Sequence, residues 1–417
     1  MEIKKDILKI IEGSIRYVLP ENLIKETFEK TTFEFLNDEL YVVSIGKAAW
    51  NMASSISNIL GEKIKKGIVL TKYEHSKGNI KNFEIFEAGH PIPDENSIFA
   101  TEKILEMTKN LTSKDTIIFL VSGGGSALFE KPLNNISLKE ISLINKTLIN
   151  SGANINEINL IRKRLSSVKA GRFAEHVNPA KIFSFILSDV IDDDLSTIAS
   201  GPCYYDSSTF EDIEKILIKY NFNFDEKILN LLKKDTPKKI NNSENYIIGN
   251  VKKACYKAKE ISEQLGYNTY ILTTKLDCEA KEAGYFLSSI ISEIKTDESF
   301  FKKPCALILG GETSVKVLGK GVGGRNQELV FSTIKKIKDF DNLIIASVGT
   351  DGTDGPTNAA GGIVDGNSFR KLILHNIDYE EVLKNNDSYN ALKKIDNLII
   401  SGPTGTNVND LIIALVI

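Results

Sequence analysis

Residues 40–60 read LYVVSIGKAAWNMASSISNIL. The opening segment, 40–44, is apolar and β-branched almost throughout, the composition of a strand covered on both faces. Past Gly46 the period changes: Ala48, Ala49, Met52, Ala53, Ile56 and Leu60 recur at helical spacing. A buried strand that turns straight into a helix is half of a βαβ unit, so this stretch predicts an α/β fold. Working outward, further short apolar runs predict strands at 67–71, 116–122, 183–188, 246–248, 268–273, 306–309, 343–348 and 398–401. Helical spacing returns at 98–110 and 327–336. The hydrophilic stretch LKKDTPKKINNSEN at 232–245 marks a boundary. The expectation is two α/β/α domains, 1–236 and 237–417, with mostly parallel sheets facing each other across a cleft. The terminal run LIIALVI at 411–417 fits a strand or a helix of either domain.

Composition excludes more than it identifies. With 417 residues, 42% hydrophobic and 26% charged, the chain is a globular protein and neither fibrous nor disordered. A net charge of −3 supplies no basic field for nucleic acid or anionic membrane. The start, MEIKKDILKIIEGSI, has no signal-peptide core, and no run approaches a membrane span. Four scattered cysteines without a CxxC pair fit reduced thiols in a cytoplasm. Only six of the 52 basic residues are Arg, which marks each Arg as a place where a planar fork of donors is wanted.

Glycine is ordinary in number and unusual in placement. Eighteen of the 29 stand at Gly46, at 123–125, within 310–324, within 349–366, and at Gly402 and Gly405. These are strand-end loops, where parallel α/β sheets bind ligands. Consecutive backbone N–H groups freed by glycine form anion nests, and a following helix adds the positive end of its dipole. Ser122, Gly123, Gly124, Gly125 and Ser126 fit that description and predict a site for a carboxylate or phosphate. Lys47, at the start of a helix, is locally unfavourable unless an anion lies beside it, a conflict expected at functional sites. Asp189, at a strand end, suits a general base or a metal ligand; Asp192 to Asp194 read as a solvated turn or cap. In LIRKRLSSVKAGRFA the arginines share no helical face, so one of Arg162 and Arg164 is expected in solvent. His90, in AGHPIPDENS, reads as a loop contact; His75, His176 and His375 show no partner pattern.

The second half carries the other loops. Glu312 at a strand end suits a metal-bound water or a hydroxyl, and Arg325 in a glycine-flanked turn suits bidentate binding of a carboxylate or phosphoryl group. In SVGTDGTDGPTNAAGG, residues Gly349, Thr350, Asp351, Thr353 and Asp354 suit a hydrated Mg²⁺ with a nucleotide. Asn407, in GPTGTNVND, suits a ribose or base contact ahead of a helix. No P-loop, dinucleotide fingerprint, GxSxG elbow or HExxH is present. Two α/β domains with glycine nests and placed cations point to phosphoryl transfer, which needs positioning more than a dedicated nucleophile.

Together VVSIGKAAWNMA, GHPIPDENS, LVSGGGSAL, NLIRKRLSSVKAGRFA, SDVIDDDLSTIASGP, GGETSVKVLGKGVGGRNQEL, GTDGTDGPTNAAG and GPTGTNVNDL resemble the glycerate 2-kinases. The resemblance runs in order from Ser44 to Asp410. It implies a C-terminal MOFRL domain and transfer of the ATP γ-phosphate to the 2-hydroxyl of D-glycerate, with Mg²⁺ or a similar cation. It also implies that the active-site lysine and arginine are Lys47 and Arg325. Such a chain works on small molecules, without nucleic acid or membrane, as a monomer or homodimer. The rival readings are a nicotinamide-dependent hydroxypyruvate reductase, which the weak dinucleotide signal disfavours, and a sugar-phosphate-binding regulator without catalysis.

Overall fold

A computed structural model describes residues 2–33, 39–134, 136–296 and 301–417. It divides into two compact units, Leu23–Ile248 and Met1–Asn22 with Gly249–Ile417. In the first unit the strands are β1 Glu39–Ile45, β2 Ile64–Lys72, β3 Phe83–Ala88, β4 Asp115–Val121, β5 Lys181–Leu187 and β6 Ser243–Gly249, ordered β3-β2-β1-β4-β5-β6. The pairs β2–β3, β1–β2, β1–β4 and β4–β5 are all parallel. The chain builds β1 to β3 outward on one side and then returns to place β4 on the other side of β1. That reversal opens a crevice at the carboxyl ends of β1 and β4, the position where such sheets bind ligands.

The strands form because both faces of the sheet are covered. Val43, Ile45, Ile68, Leu70, Ile117 and Phe119 pack with Phe129 and Phe173 on one side. Val69 packs with Ala49 and Ala53 of the helix Ala49–Leu60 on the other. Strand β3 was not legible in sequence, because Glu84 and Glu87 interrupt its apolar pattern at the sheet edge. Helices Leu138–Asn150, Ile155–Leu165, Phe210–Lys219 and Glu226–Leu232 bury a satellite core of their own, including Ile144, Leu148, Ile161, Ile213 and Leu232.

The second unit holds β7 Asn268–Leu276, β8 Cys305–Gly311, β9 Leu343–Gly349, β10 Gly361–Asp365, β11 Leu398–Ile399 and β12 Asp410–Val416, ordered β11-β10-β9-β12-β8-β7. Strands β7, β8, β9 and β11 share one direction, while β10 and β12 run against them. This sheet is therefore mixed. The run left open between strand and helix is β12, inserted between β8 and β9 with all seven residues buried. A continuous apolar run carries no direction, so only its two neighbours decide that it reverses.

The amphipathic helix Glu2–Tyr17 belongs to this second unit and not to the segment that follows it in sequence. Ile7, Ile10 and Ile11 pack with Ala258, Ile261 and Ile413. The division consequently lies at 22/23 and 248/249, against the expected 236/237. Helical periodicity shows that one face is buried but does not name the surface that buries it. All four cysteines are free, and no helix among the described residues is long and apolar enough to cross a membrane.

Candidate active site

In the N-terminal unit the ends of β1 and β4 are knitted together. Ser122 donates its N–H to Ile45 O at 3.0 Å, Lys47 donates its N–H to Gly123 O at 2.8 Å, and Ala48 donates to Ser122 Oγ at 3.0 Å. Gly46 sits at φ +112°, and a Cβ there would stand 2.4 Å from Ser122 O, so no other residue fits between the two strand ends. The half-buried Lys47 thus leaves the sheet beside the glycine loop. Gly123 and Gly124 keep backbone N–H groups without an acceptor among the described residues, the donors an anion nest requires.

His90 enters this site, although its sequence context indicated only a loop contact. A Cβ on Gly124 would lie 3.0 Å from His90 Cδ2 and 3.3 Å from Lys47 Cγ, so both side chains close on that glycine. Burial, then the charges of Lys47 and Lys72 and the neighbouring His75, hold the imidazole down at about 4. It is therefore a neutral hydrogen-bonding group at physiological pH. The far side of the loop is Ser126, whose Oγ lies 2.7 Å from Ser200 Oγ. Ser200 and Ala199 have φ of +63° and +49°, and Asp192 and Asp193 +71° and +56°. Strained non-glycine backbone of this kind gathers at functional sites. Half-buried Asp189 lies between β5 and that segment. Asp194 caps the turn, accepting from Ser196 N at 2.9 Å and Thr197 Oγ1 at 2.7 Å.

In the C-terminal unit Arg325 begins the helix Arg325–Thr333. Its Nε and Nη2 donate to the two oxygens of Asp410 at 2.6 and 3.0 Å, and Nη1 donates to Glu312 Oε1 at 2.7 Å. Burial opposes the guanidinium charge, but Asp410 and Glu312 together hold its pKa above the ordinary value. Asp410, which the sequence did not single out, is 1% exposed; burial lifts it to about 6 against the pull of Arg325. The available signal was an acid standing at the head of the apolar run 411–417.

The neighbouring carboxylates divide by role. Asp354 is buried and accepts from the backbone N–H groups of Asn326 and Gln327 at 3.1 and 2.9 Å, and from Gln327 Nε2 at 2.8 Å. It caps the helix that carries Arg325, so its place is in holding that turn and not in facing a nucleotide. Asp351 is half-buried, with one oxygen accepting from Thr353 N and Oγ1, both at 2.9 Å. Buried Thr350 donates its Oγ1 to Asn409 O at 2.7 Å, and Thr404 Oγ1 donates to Thr350 O, joining loop 349–354 to loop 402–409. Gly349 donates its N–H to Ala360 O. Half-buried Asn407 precedes β12, a strand and not the expected helix. Among the described residues no group of three or more His, Cys, Asp or Glu gathers as a metal cage.

The glycines of 319–324 pack against protein. The Leu318 and Gly319 N–H groups donate to Asn386 Oδ1, Lys320 N–H to Asn385 Oδ1, and Gly321 N–H to Asn385 O. A Cβ on Gly319 would meet Asn385 O at 2.3 Å, and one on Gly324 the Asp354 carboxyl at 2.2 Å. The stretch 318–322 is thus a buttress, with its donors already spent. The arginines of 162–172 also depart from expectation. Arg164 is fully buried, its guanidinium donating to the carbonyls of Leu232, Lys234 and Ser208, and Arg162 is half-buried.

Residues 6–233 match a family model described as a domain of unknown function (DUF4147), and residues 305–410 match the MOFRL family. The chain is 52% identical over 415 residues to the D-glycerate 2-kinase of Thermotoga maritima, covering 100% of this chain and 99% of that one. It is 41% identical to the glycerate 2-kinase of Pyrococcus horikoshii, covering 100% and 98%. The crystal structure of glycerate kinase from Thermotoga maritima superposes with a TM-score of 0.95 at 52% identity, covering all of both chains.

Proposed function

The chain belongs to the glycerate 2-kinase family, and on that premise we propose that it transfers the γ-phosphoryl group of ATP to the 2-hydroxyl of D-glycerate, giving 2-phosphoglycerate and ADP. The observation that carries this reading is full-length identity of 52% to a D-glycerate 2-kinase, alongside the unspent N–H groups of Gly123 and Gly124 at the ends of β1 and β4. Lys47 beside the glycine loop of the first unit, and Arg325 at the helix start of the second, are each a fixed cation of the kind that stabilises charge developing in phosphoryl transfer. The free N–H groups of the 122–126 loop hold an anionic oxygen. Asp189 orients the 2-hydroxyl and takes its proton. Neutral His90 donates or accepts a hydrogen bond beside Lys47 without adding charge.

Magnesium is the cation this chemistry requires, and the donors fit it. Mg²⁺ keeps several waters and takes one or two protein carboxylates along with substrate phosphates, so half-buried Asp351 or Asp189 suffices without a cage. When bound, it supplies neutralisation of the nucleotide phosphates. Glu312 and Asp410 set the direction of the Arg325 fork, Asp354 and Thr350 hold the turns around it, and Asn407 faces the nucleotide, the Gly349 and Thr353 N–H groups being taken by Ala360 and Asp351. The enzyme is read as cytoplasmic.

The test is direct. Incubation with D-glycerate and Mg-ATP, followed by ³¹P NMR, yields a 2-phospho product and ADP. A 3-phospho product overturns the regiochemistry, and turnover of NADH with hydroxypyruvate in place of ATP overturns the kinase. Lys47→Ala lowers kcat on the order of 10²-fold or more; near-normal turnover removes Lys47 from the site.

A further inference from the structure

We propose that Arg162 is the residue that binds the carboxylate of the acceptor, working with Glu130 and Lys169 against the far end of the 122–126 loop. The helix Ile155–Leu165 ends in three consecutive basic residues, Arg162, Lys163 and Arg164. Two of the three are spent inside the protein. Arg164 holds three carbonyls, and Lys163 lies 3.7 Å from Asp206. Nearby Arg172 is spent as well, donating to the carbonyls of Lys163 and Ser166. Arg162 alone makes no hydrogen bond or ion pair among the described residues, although it is half-buried.

The chemistry around Arg162 is incomplete in a particular way. Lys169 is fully buried; its Nζ donates to Ser126 O at 2.6 Å and Phe129 O at 3.1 Å and pairs with Glu130 Oε2 at 2.9 Å. Glu130 is 2% exposed and is the opposing charge that both Lys169 and Arg162 feel. Lys169 takes Glu130 as its ion-pair partner, while Arg162, which feels the same carboxylate, makes no ion pair among the described residues, leaving one positive charge over in a half-buried place. A buried cation without a partner is costly, so the arrangement asks for an anion. The other oxygen, Glu130 Oε1, is buried and accepts nothing, so it asks for a donor. A small molecule carrying both a carboxylate and a hydroxyl answers both demands. Arg162 takes the carboxylate with its fork of donors, and Glu130 Oε1 accepts from the hydroxyl. That ligand class is the hydroxy acid of the function proposed above, on which the identity of the acceptor rests.

The experiment compares the intact enzyme with Arg162→Met and Arg162→Lys, each checked for an unchanged circular dichroism spectrum. In Arg162→Met the KM for D-glycerate rises on the order of 10- to 100-fold while the KM for Mg-ATP stays within about twofold, as expected for a lost charge-assisted contact. Preference for D-glycerate over glycerol, which lacks the carboxylate, shrinks by the same factor. Arg162→Lys retains part of the affinity. An unchanged KM for D-glycerate, or equal losses for both substrates, overturns the proposal. Calorimetric titration with D-glycerate separates the two readings. Arg162-dependent binding without turnover overturns the kinase and keeps the site, whereas turnover with Arg162-independent binding does the reverse. Absence of both binding and turnover in the intact enzyme overturns the two together.

Discussion

Arg325 and Asp410 form a two-pronged pair, Nε to Oδ2 at 2.6 Å and Nη2 to Oδ1 at 3.0 Å, across 85 positions of sequence. Asp410 opens the reversed central strand β12, while Arg325 opens a helix, so the sheet itself fixes the angle of the guanidinium. Asp410→Asn keeps the shape but gives up the charge and one acceptor. The expected outcome is a fall in kcat of about 10- to 100-fold, the scale of a misplaced charge-stabilising donor. Steady-state kinetics check this, and a variant within twofold of the parent removes Asp410 from the positioning of Arg325.

Gly46 and Gly61 separate crowding from mere conformation. Both have positive φ, but a Cβ at Gly46 collides with Ser122 while one at Gly61 meets nothing within 4 Å. Gly61→Ala should cost about 1–3 kcal/mol of backbone strain. Gly46→Ala should cost more than about 3 kcal/mol and take the activity with it, because Lys47 must shift. Urea unfolding of the two variants decides, and equal losses contradict the close approach.

His90 makes stability depend on pH in a definite direction. Its folded-state value of about 4 lies below the ordinary 6.5, so between those limits the unfolded chain binds the extra proton. The contribution is complete above about pH 6.5 and is lost as pH falls through about 4. Compared with His90→Gln, which never titrates, the parent should gain stability as pH rises across that window. A difference that stays flat from acid to neutral pH means His90 is solvated.

Asp354 and Asp351 stand three residues apart and should fail differently. Asp354→Ala strips the cap from the helix of Arg325 and leaves buried donors unpaired, costing about 1–3 kcal/mol of stability. Asp351→Ala, half-exposed, should change stability by no more than about 1 kcal/mol while raising the Mg²⁺ concentration needed for half-maximal rate. Thermal unfolding and a magnesium titration are the two measurements. The same Mg²⁺ requirement in Asp351→Ala and the parent removes Asp351 from the metal.

Asn386 reports on the buttress. Its amide accepts from Leu318 and Gly319 and donates to Glu328 Oε2 at 3.0 Å. Asn386→Ala should lower stability by about 1–3 kcal/mol through those orphaned groups. An unchanged unfolding midpoint would mean that the 318–322 strip is not held from this side.

The sequence by itself determined the strand-loop-helix units, because burial on two faces and helical periodicity are local properties that nearby residues must carry. All nine strands expected from apolar runs are present, whereas Lys47, expected in the first turn of a helix, precedes the N-cap Ala48, and Arg325, expected in the turn before a helix, is its first residue. It also determined the family, whose motifs are spread along the whole chain. The tertiary structure alone decided partnership. A glycine letter is the same whether the space beside it belongs to a ligand or to Asn385, yet Gly319 and Gly321 are held in a buttress while Gly123 and Gly124 keep free donors. Likewise Asp351 and Asp354 look alike in sequence, and only the turn of 325–327 makes one of them a cap. Asp410, His90 and Arg162 acquire their meaning from chain segments far away, which bring or withhold a partner. Local chemistry sets what each residue is able to do, and long-range packing sets what is left for it to bind.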